Sequence, residues 1–488
     1  MRIIGNNPQL SRQTQAVASG AITGGKPVVV NTNGTVSEIT GATLALGSEA
    51  EFTSNVSYHD ATFDSTNNRL IIAYGETSNG YARVCTVSDT SISLGSAVVF
   101  ENADTRYISS TFDSNSDRVV ISYSDYGNSN YLTAIVGAVD PSDNSISFGT
   151  AVVVQSGNVT HSSLVFDSSN NNIVLSFKNN YNSSIGTAVV GTVDPSDNSI
   201  SFGTIVTFNN SNTEMFSAKT SVFDSNSNKV VMVYKDVDSS GHGKAIVGTV
   251  SGTDISFGTE VTFRNTAIGS YISAAFDSTN NKVLIAYAAA SNVGSCAVGT
   301  VSGTSISFGT AVNVGGGVFG DGAANVKCVE YDSARQKVVV GWKDSTNSSK
   351  GTYSIGTVSG DTISFTGEAL FNNGNTQDLN STYDSTSERV VFVYKDAGDG
   401  DDGTAVALRL AIPTNITAEN YIGIAEDTVA TGQPVTVNTK GTVDENQTSL
   451  TAGQTYFVQT TGTLGTSADD PSVVAGTAVT ATKLIVKG

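Results

Sequence analysis

Seven aspartates at a nearly constant spacing are the residues of this chain best placed to do chemistry. Each follows an aromatic residue and precedes a serine and a polar turn, and they define repeats 1 to 7: Asp64, Asp113, Asp167, Asp224, Asp277, Asp332 and Asp384. Carboxylates can act as general acids or bind metal ions. However, a catalytic acid is needed only once, and aspartate commonly accepts hydrogen bonds from turn amides. We therefore predict that the seven aspartates cap seven equivalent turns.

The spacing of these turns, 49 to 57 residues, indicates which elements hold them. A period of this length filled with short strand patterns is typical of a β-propeller, in which each repeat is a small sheet that packs on its neighbours. In repeat 4 we predict strands at residues 220–224, 229–235, 245–250 and 254–263, with a bend at Phe257-Gly258-Thr259. One position of the second strand is aromatic throughout, and we expect it to pack between blades: Tyr74, Tyr123, Phe177, Tyr234, Tyr287, Trp342 and Tyr394.

The two ends of the repeat region complement each other. Residues 43–52 have the pattern of a fourth strand with no first three strands before them, and residues 404–410 form a third strand with no fourth strand after it. We predict that these segments pair, so that the last blade is built from both ends and no sheet edge stays open. The predicted fold is all-β, with a seven-bladed propeller at residues 42–411.

The segments outside the propeller are predicted to form a second small β-domain. Residues 25–36 and 432–443 are near copies, each read as a strand, an Asn-Thr-x-Gly turn and a second strand. Two matched hairpins on either side of the repeats suggest a discontinuous domain made of residues 1–41 and 412–488.

The composition argues against several classes of function. A net charge of −19 without a Lys/Arg cluster makes nucleic acid an unfavourable partner. There is no apolar run long enough to span a bilayer, and the first residues lack the pattern of a secretion signal, so we expect no membrane insertion. The three cysteines fall at unrelated repeat positions and are expected to be buried thiols: Cys85, Cys296 and Cys328.

Other chemistry finds little support in the sequence. The acidic loop at residues 396–403 could wrap Ca²⁺ but lacks the spacing of an EF-hand, and a solvated polar loop is the alternative. No Gly-x-Ser-x-Gly elbow precedes a helix. We predict no catalytic residue, no metal site, no cofactor and no enzymatic activity.

The variable loops provide the predicted binding surface. Turns between first and second strands recur almost unchanged, whereas loops between second and third strands differ, and such variable loops on a rigid scaffold often carry recognition. The candidate binding residues are Tyr126, Tyr181, His242 and Phe319, whose rings could stack on sugars beside amide and hydroxyl groups. The alternative is that isolated exposed aromatics have no function.

The terminal region resembles a known group of proteins. Residues 419–425, 449–458 and 475–486 are similar to a β-module in virion structural proteins of tailed bacteriophages, most of all the fibre-like proteins of marine cyanophages. The resemblance implies a virion protein whose terminal domain attaches to other virion proteins. Its propeller is then presented outward, to contact a host surface, with a glycan as the expected ligand, or a neighbouring particle subunit. It also implies a homo-oligomer. A capsid decoration protein without a ligand, and a glycan-cleaving propeller enzyme, are the alternatives.

Overall fold

The chain is all-β. The computed structural model describes residues 13–217, 219–269, 271–289, 293–318, 327–411, 414–469 and 471–487, and this part of the chain contains antiparallel sheets, two short 3-10 turns and no α-helix. None of its helical segments is long and apolar enough to cross a membrane. The chain divides into two compact units: the described residues of Met1–Ala45 with Leu410–Gly488, and Leu46–Arg409. We call them the terminal unit and the repeat unit.

The strands are numbered in chain order. The first three belong to the terminal unit: β1 (Gln13–Val17), β2 (Pro27–Val30) and β3 (Val36–Glu38). Two short strands precede the repeats: β4 (Ala45–Leu46) and β5 (Ala50–Thr53). Repeat 1 contains β6 (Tyr58–Asp64), β7 (Arg69–Gly75), β8 (Gly80–Ser88), β9 (Ser91–Leu94) and β10 (Val98–Glu101).

Repeats 2 and 3 share a long strand. They contain β11 (Thr105–Asp113), β12 (Arg118–Asp125), the 3-10 turn η1 (Tyr126–Asn128), β13 (Tyr131–Asp140), β14 (Ser145–Phe148), β15 (Val152–Asp167), β16 (Asn172–Asn179), the 3-10 turn η2 (Asn180–Asn182), β17 (Ile185–Asp194), β18 (Ser199–Phe202) and β19 (Val206–Asn209). The end of β15 is the first strand of repeat 3.

Repeats 4 to 7 follow the same plan. They contain β20 (Thr213–Glu214), β21 (Ser221–Asp224), β22 (Lys229–Asp236), β23 (His242–Ser251), β24 (Asp254–Phe257), β25 (Val261–Ala267), β26 (Ile272–Asp277), β27 (Lys282–Ala288), β28 (Val293–Ser302), β29 (Ser305–Phe308), β30 (Val312–Val318), β31 (Lys327–Asp332), β32 (Lys337–Asp344), β33 (Lys350–Ser359), β34 (Thr362–Asp384), β35 (Arg389–Asp396) and β36 (Asp402–Arg409).

Each repeat is an antiparallel sheet of four strands in sequence order. In repeat 4, β21 pairs with β22, β22 with β23, and β23 with both β24 and β25. The predicted bend is confirmed, because β24 ends at Phe257 and β25 resumes at Val261. The second strand is buried on both faces, as its continuous apolar sequence indicates: Val230 to Tyr234 are completely buried.

The predicted roles of the repeated residues are confirmed. In each turn the aspartate Oδ1 accepts hydrogen bonds of 2.9–3.1 Å from amides two or three residues further on. The recurring second-strand aromatics are buried, with at most 1% of their surface exposed. The three cysteines are buried free thiols.

Two kinds of contact recur between successive repeats. The fourth-strand ring of one repeat lies on the second-strand ring of its successor, as in Phe100–Tyr123 at 5.2 Å and Phe208–Tyr234 at 5.3 Å between centroids. The fourth-strand glycine also touches the next repeat: a Cβ on Gly258 would lie 1.9 Å from the carbonyl oxygen of Thr304. Glycine is therefore required by close approach.

The predicted pairing of the two ends of the repeat region is confirmed. Strand β5 pairs with β36, with Glu51 opposite Thr404 and Ala50 opposite Ala405. The ring centroid of Phe52 lies 5.1 Å from that of Tyr74 in repeat 1. This is the ring contact that recurs between successive repeats. Because β5 occupies the edge of β36, repeat 7 obtains its fourth strand from residues that precede repeat 1.

The terminal unit contains two five-stranded sheets. Its remaining strands are β37 (Tyr421–Ala425), β38 (Pro434–Asn438), β39 (Val443–Asp444), β40 (Thr455–Val458), β41 (Leu464–Gly465), β42 (Val473–Ala478) and β43 (Leu484–Val486). The sheet orders are β1-β38-β37-β2-β3 and β39-β43-β42-β40-β41. Strands from the two ends of the chain therefore share the first sheet.

One of the two predicted terminal hairpins is wrong. Residues 25–36 do form a hairpin, since β2 pairs with β3. In residues 432–443, however, β38 does not pair with β39. Both edges of β38 are already occupied, by β1 and β37, and β39 instead joins β43 in the second sheet.

Candidate functional site

A cavity of ≈ 80 Å³ opens among residues at the start of the first strands. Six ring side chains of the described residues line it, and five of them come one from each of repeats 1 to 5: Tyr58, Tyr107, His161, Phe216 and Tyr271. Asp378 of repeat 7 lies in the same lining, with His59 and Asn380 beside it. We call these five rings together with Asp378 the aromatic pocket.

The five rings follow one another in repeat order and touch in sequence. Their centroid distances are 4.9 Å for Tyr58–Tyr107, 4.2 Å for Tyr107–His161, 4.1 Å for His161–Phe216 and 5.7 Å for Phe216–Tyr271. Planes of neighbouring rings are inclined by 34–64°. Tilted aromatic contacts at these distances are favourable, so the rings support one another as a continuous apolar wall.

An unusual backbone conformation positions three of these side chains. Tyr107, His161 and Asp378 have φ angles of +52°, +52° and +45°, and each lies six residues before the turn aspartate of its repeat. The pairing register shifts at these places, for example between Arg106 and Ser109. Because a bulky residue with positive φ is strained, and bulges re-aim side chains, the repeated bulge is a feature that serves the pocket.

The phenols of the pocket are neutral hydrogen-bonding groups. Burial is the main cause that raises the pKa of Tyr58 and Tyr107, and it raises the pKa of Tyr271 to about 12. Tyr107 shares side-chain hydrogen bonds with Tyr58 and with Tyr126. At neutral pH these hydroxyls can donate to and accept from a polar ligand.

The two imidazoles of the site are also neutral. Burial lowers the pKa of His59 and of His161 to about 3. His59 is only 4% exposed, and neither of its ring nitrogens has a hydrogen-bond partner among the described residues. Neutral imidazoles add to the wall as flat, weakly polar rings rather than as charges.

Asp378 is the carboxylate of the pocket. Burial is the first cause that raises its pKa to about 6, while Lys395 and Lys343 act in the opposite direction. When the pH exceeds this pKa and Asp378 is ionised, the two lysines offset its negative charge.

Taken together, the lining offers flat apolar surface with a few polar groups around it. Such lining is typical of sites that bind small organic groups. Imidazoles with a pKa near 3 are weak bases at neutral pH, and general-base catalysis works best with a pKa near the working pH. The Ser162 hydroxyl, which lies in the lining, bonds to Ser122 at 2.9 Å.

Three of the four predicted binding residues are described by the structure, and they lie after the second strands of three different repeats: Tyr126, Tyr181 and His242. Tyr126 begins η1 and interacts with Tyr107 of the pocket. The guanidinium of Arg106 lies 4.0 Å from the centroid of the Tyr126 ring and forms an ion pair with Asp104 at 2.7 Å. Tyr126 is therefore held at the edge of the aromatic pocket.

Tyr181 and His242 are not among the residues that line the pocket. Tyr181 is 73% exposed in η2, where it packs against Gly157. His242 begins β23 and pairs with Asp236 and Ala267. Phe319 lies outside the described residues.

The acidic loop at residues 396–403 is engaged in local contacts. Asp396 accepts a hydrogen bond from the amide of Gly398 at 2.9 Å, and Asp401 forms an ion pair with Lys395 at 3.1 Å. In the described part of the chain, no three His, Cys, Asp or Glu side chains are grouped as metal ligands would be.

Sequence reasoning missed most of the pocket, although a signal was present. Aligning the repeats on their aspartates places Tyr58, Tyr107, His161 and Tyr271 at one position, six residues before each aspartate. Phe216 lies two residues earlier in its repeat, so the alignment does not find it. Comparison of the sequence with models of known protein families and with curated proteins gave no match.

Proposed function

We propose that the repeat unit is a seven-bladed β-propeller. The support comes from the contact that recurs between repeats and is repeated between Phe52 and Tyr74. Asn380 of repeat 7 also donates a 2.8 Å hydrogen bond to the carbonyl oxygen of His59 in repeat 1. Seven sheets linked in this way would close without a free edge. An experimental structure with repeats 1 and 7 apart would contradict the proposal.

We propose further that the protein is a non-enzymatic binding protein and that the aromatic pocket takes a sugar of a surface glycan. The observation that carries this is the wall of five rings supplied by five successive repeats. A sugar presents an apolar face to stack on rings and hydroxyls that can bond to Tyr58 and Tyr107. A pocket with a flat apolar wall and few polar groups matches both needs.

The proposed setting is the surface of a tailed-bacteriophage particle. The support for it is the resemblance of residues 419–425, 449–458 and 475–486 to the β-module of virion proteins. In this proposal the terminal unit attaches to other virion proteins, the protein assembles as a homo-oligomer, and the pocket contacts the host. Locating the chain on purified particles by cryo-electron microscopy tests the setting.

A glycan array tests the binding function. We expect the parent protein to bind a subset of glycans, and Tyr107→Ala to reduce that binding about fivefold or more, by analogy with bases stacked on one aromatic ring, for which the contribution is about 1–3 kcal/mol. Tyr181→Ala is the matched control, because this exposed tyrosine lies outside the pocket, and it should bind like the parent. Absence of binding to any glycan, with firm retention on purified capsids, would favour the capsid-decoration alternative.

A further inference from the structure

Lysine recurs at one end of the second strand in four repeats. Lys178, Lys235, Lys343 and Lys395 each occupy the last position but one of β16, β22, β32 and β35. This is the pocket end of the strands: Lys178 is paired with Thr160, the neighbour of His161, and Lys395 with Gln377, the neighbour of Asp378. The aromatic pocket therefore has several ammonium groups around it.

Two of these lysines are neutralised within their own repeats. Lys235 forms an ion pair with Glu214 at 3.0 Å, and Lys395 forms one with Asp401 at 3.1 Å. Lys178 and Lys343 form no ion pair with a described carboxylate, and Glu214 and Asp378 affect them only through their charge. Two half-buried ammonium groups thus remain without a close counter-charge.

Lys178 is the better placed of the two. Its Nζ lies 5.5 Å from the ring centroid of Phe216, and its charge acts on His161, so it borders two rings of the pocket. Burial lowers the pKa of Lys178, which means that the ammonium has lost part of its hydration. A partly dehydrated ammonium gains more from an anionic partner than an exposed one.

The pocket carboxylate does not favour a cationic ligand. Asp378 already faces Lys343 and Lys395. A cationic ligand would have to bind near three lysine ammonium groups, which would repel it. An anionic group beside Lys178 would meet attraction instead.

We propose that the aromatic pocket binds an acidic sugar, with the rings against the sugar face and the acid group bound by Lys178. This inference rests on the proposed glycan-binding function and narrows it to sugars that carry a carboxylate. The protein as a whole has a net charge of −19, which repels anions at long range. Selectivity for an acidic sugar must therefore come from local contacts.

Matched pairs of methyl glycosides test the proposal. Calorimetric titration of the full chain compares methyl glucuronide with methyl glucoside, and methyl galacturonide with methyl galactoside, so that each pair differs only at the acid group. We expect at least one acidic member to bind about tenfold or more tightly than its neutral partner, because hydrogen bonds to charged groups contribute about 1.5–3 kcal/mol. Lys178→Gln should remove this preference and leave the neutral sugar within about twofold.

Lys229→Gln is the matched control. Lys229 begins β22 at the opposite end of a second strand and has the same charge, so its loss should leave the preference intact. Equal loss in both variants would assign the effect to net charge and overturn the proposal.

The remaining outcomes separate the two proposals. Equal affinity for acidic and neutral sugars overturns the acidic-sugar inference while the glycan-binding function stands. Failure of every sugar, here and on the array, overturns both. Tight binding of choline instead of the sugars overturns both in favour of a cation site.

Discussion

Buried charges in the repeat unit link residues from five repeats. Lys219 forms a 2.6 Å ion pair with Glu330 and donates to the carbonyl oxygen of Ser381. Asp60, which is completely buried, accepts hydrogen bonds from the amide and hydroxyl of Ser110 at 2.7 and 3.0 Å. Burial outweighs the opposing effect of Lys219 and raises the pKa of Asp60 to about 6.

This raised pKa predicts how stability depends on pH. The folded protein holds the Asp60 proton more tightly than the unfolded chain does, so this group contributes stability below about pH 4 that is lost as pH rises through about 6. The Asp60→Asn variant cannot lose this proton. Its stability relative to the parent should therefore increase by about 2–3 kcal/mol between pH 4 and pH 7.

Calorimetric melting at several pH values measures this difference. Asp254→Asn, at the exposed first position of β24, is the control, and its offset from the parent should not rise in this way. A pH-independent offset for Asp60→Asn as well would mean that Asp60 titrates in its usual range.

At the scale of elements, the fourth strand is broken by glycine so that a neighbouring turn can approach it. Gly47, Gly149, Gly203 and Gly309 make the same contact as Gly258, each with a carbonyl oxygen 1.8–2.1 Å from the site of an added Cβ. In repeat 6 the glycine stands one residue later, after Phe365 and Thr366, and Gly367 has no atom within 4 Å of the site of an added Cβ. Gly367 therefore serves as the control for the close approach at Gly258.

Alanine substitution should separate these two glycines. We expect Gly258→Ala to lower the free energy of unfolding by about 1–3 kcal/mol, because the Thr304 carbonyl must move away from the new methyl group. Gly367→Ala should change it by less than about 0.5 kcal/mol. Denaturant unfolding measures both. A similar cost at the two sites would show that strand propensity, and not the close approach, explains the glycine.

At the scale of the whole molecule, the repeat unit depends on a strand that precedes all its repeats. Phe52 of β5 is 1% exposed and packs in one cluster with Leu70 of repeat 1 and Val391 of repeat 7. The neighbouring Phe100 makes the equivalent contact between repeats 1 and 2, which are also continuous in sequence.

Loss of the Phe52 ring should therefore open the unit locally. We expect Phe52→Ala to cost about 3–5 kcal/mol and to speed amide hydrogen exchange in both β36 and β7, since β5 pairs with β36 and its Phe52 ring packs on Tyr74 of β7. Phe100→Ala should affect repeats 1 and 2 and leave β36 protected. Unchanged exchange in β36 after loss of Phe52 would argue against closure by this strand.

The sequence by itself determined the features that depend on local chemistry. The Asp-Ser turn specifies its own hydrogen bonds, the run from Val230 to Tyr234 specifies a strand buried on both faces, and the glycine after Phe257 specifies a break. Each is set by neighbours within a few residues. The β5–β36 pairing could also be predicted. Repeat 7 has no fourth strand of its own, and the segment before repeat 1 is the one with the fourth-strand pattern and no partner strands.

Tertiary structure alone decided which side chains meet. The five rings of the pocket come from residues as far apart in the sequence as Tyr58 and Tyr271. Tyr107 and His161 are directed into the pocket by a bulge that no pattern in the neighbouring residues predicts. The second terminal hairpin was mispredicted for a related reason: β38 had the sequence of a hairpin arm, but its edges were taken by β1 and β37. Local sequence fixes hydrogen bonds and burial within an element, whereas competition among distant strands for edges and space decides the site.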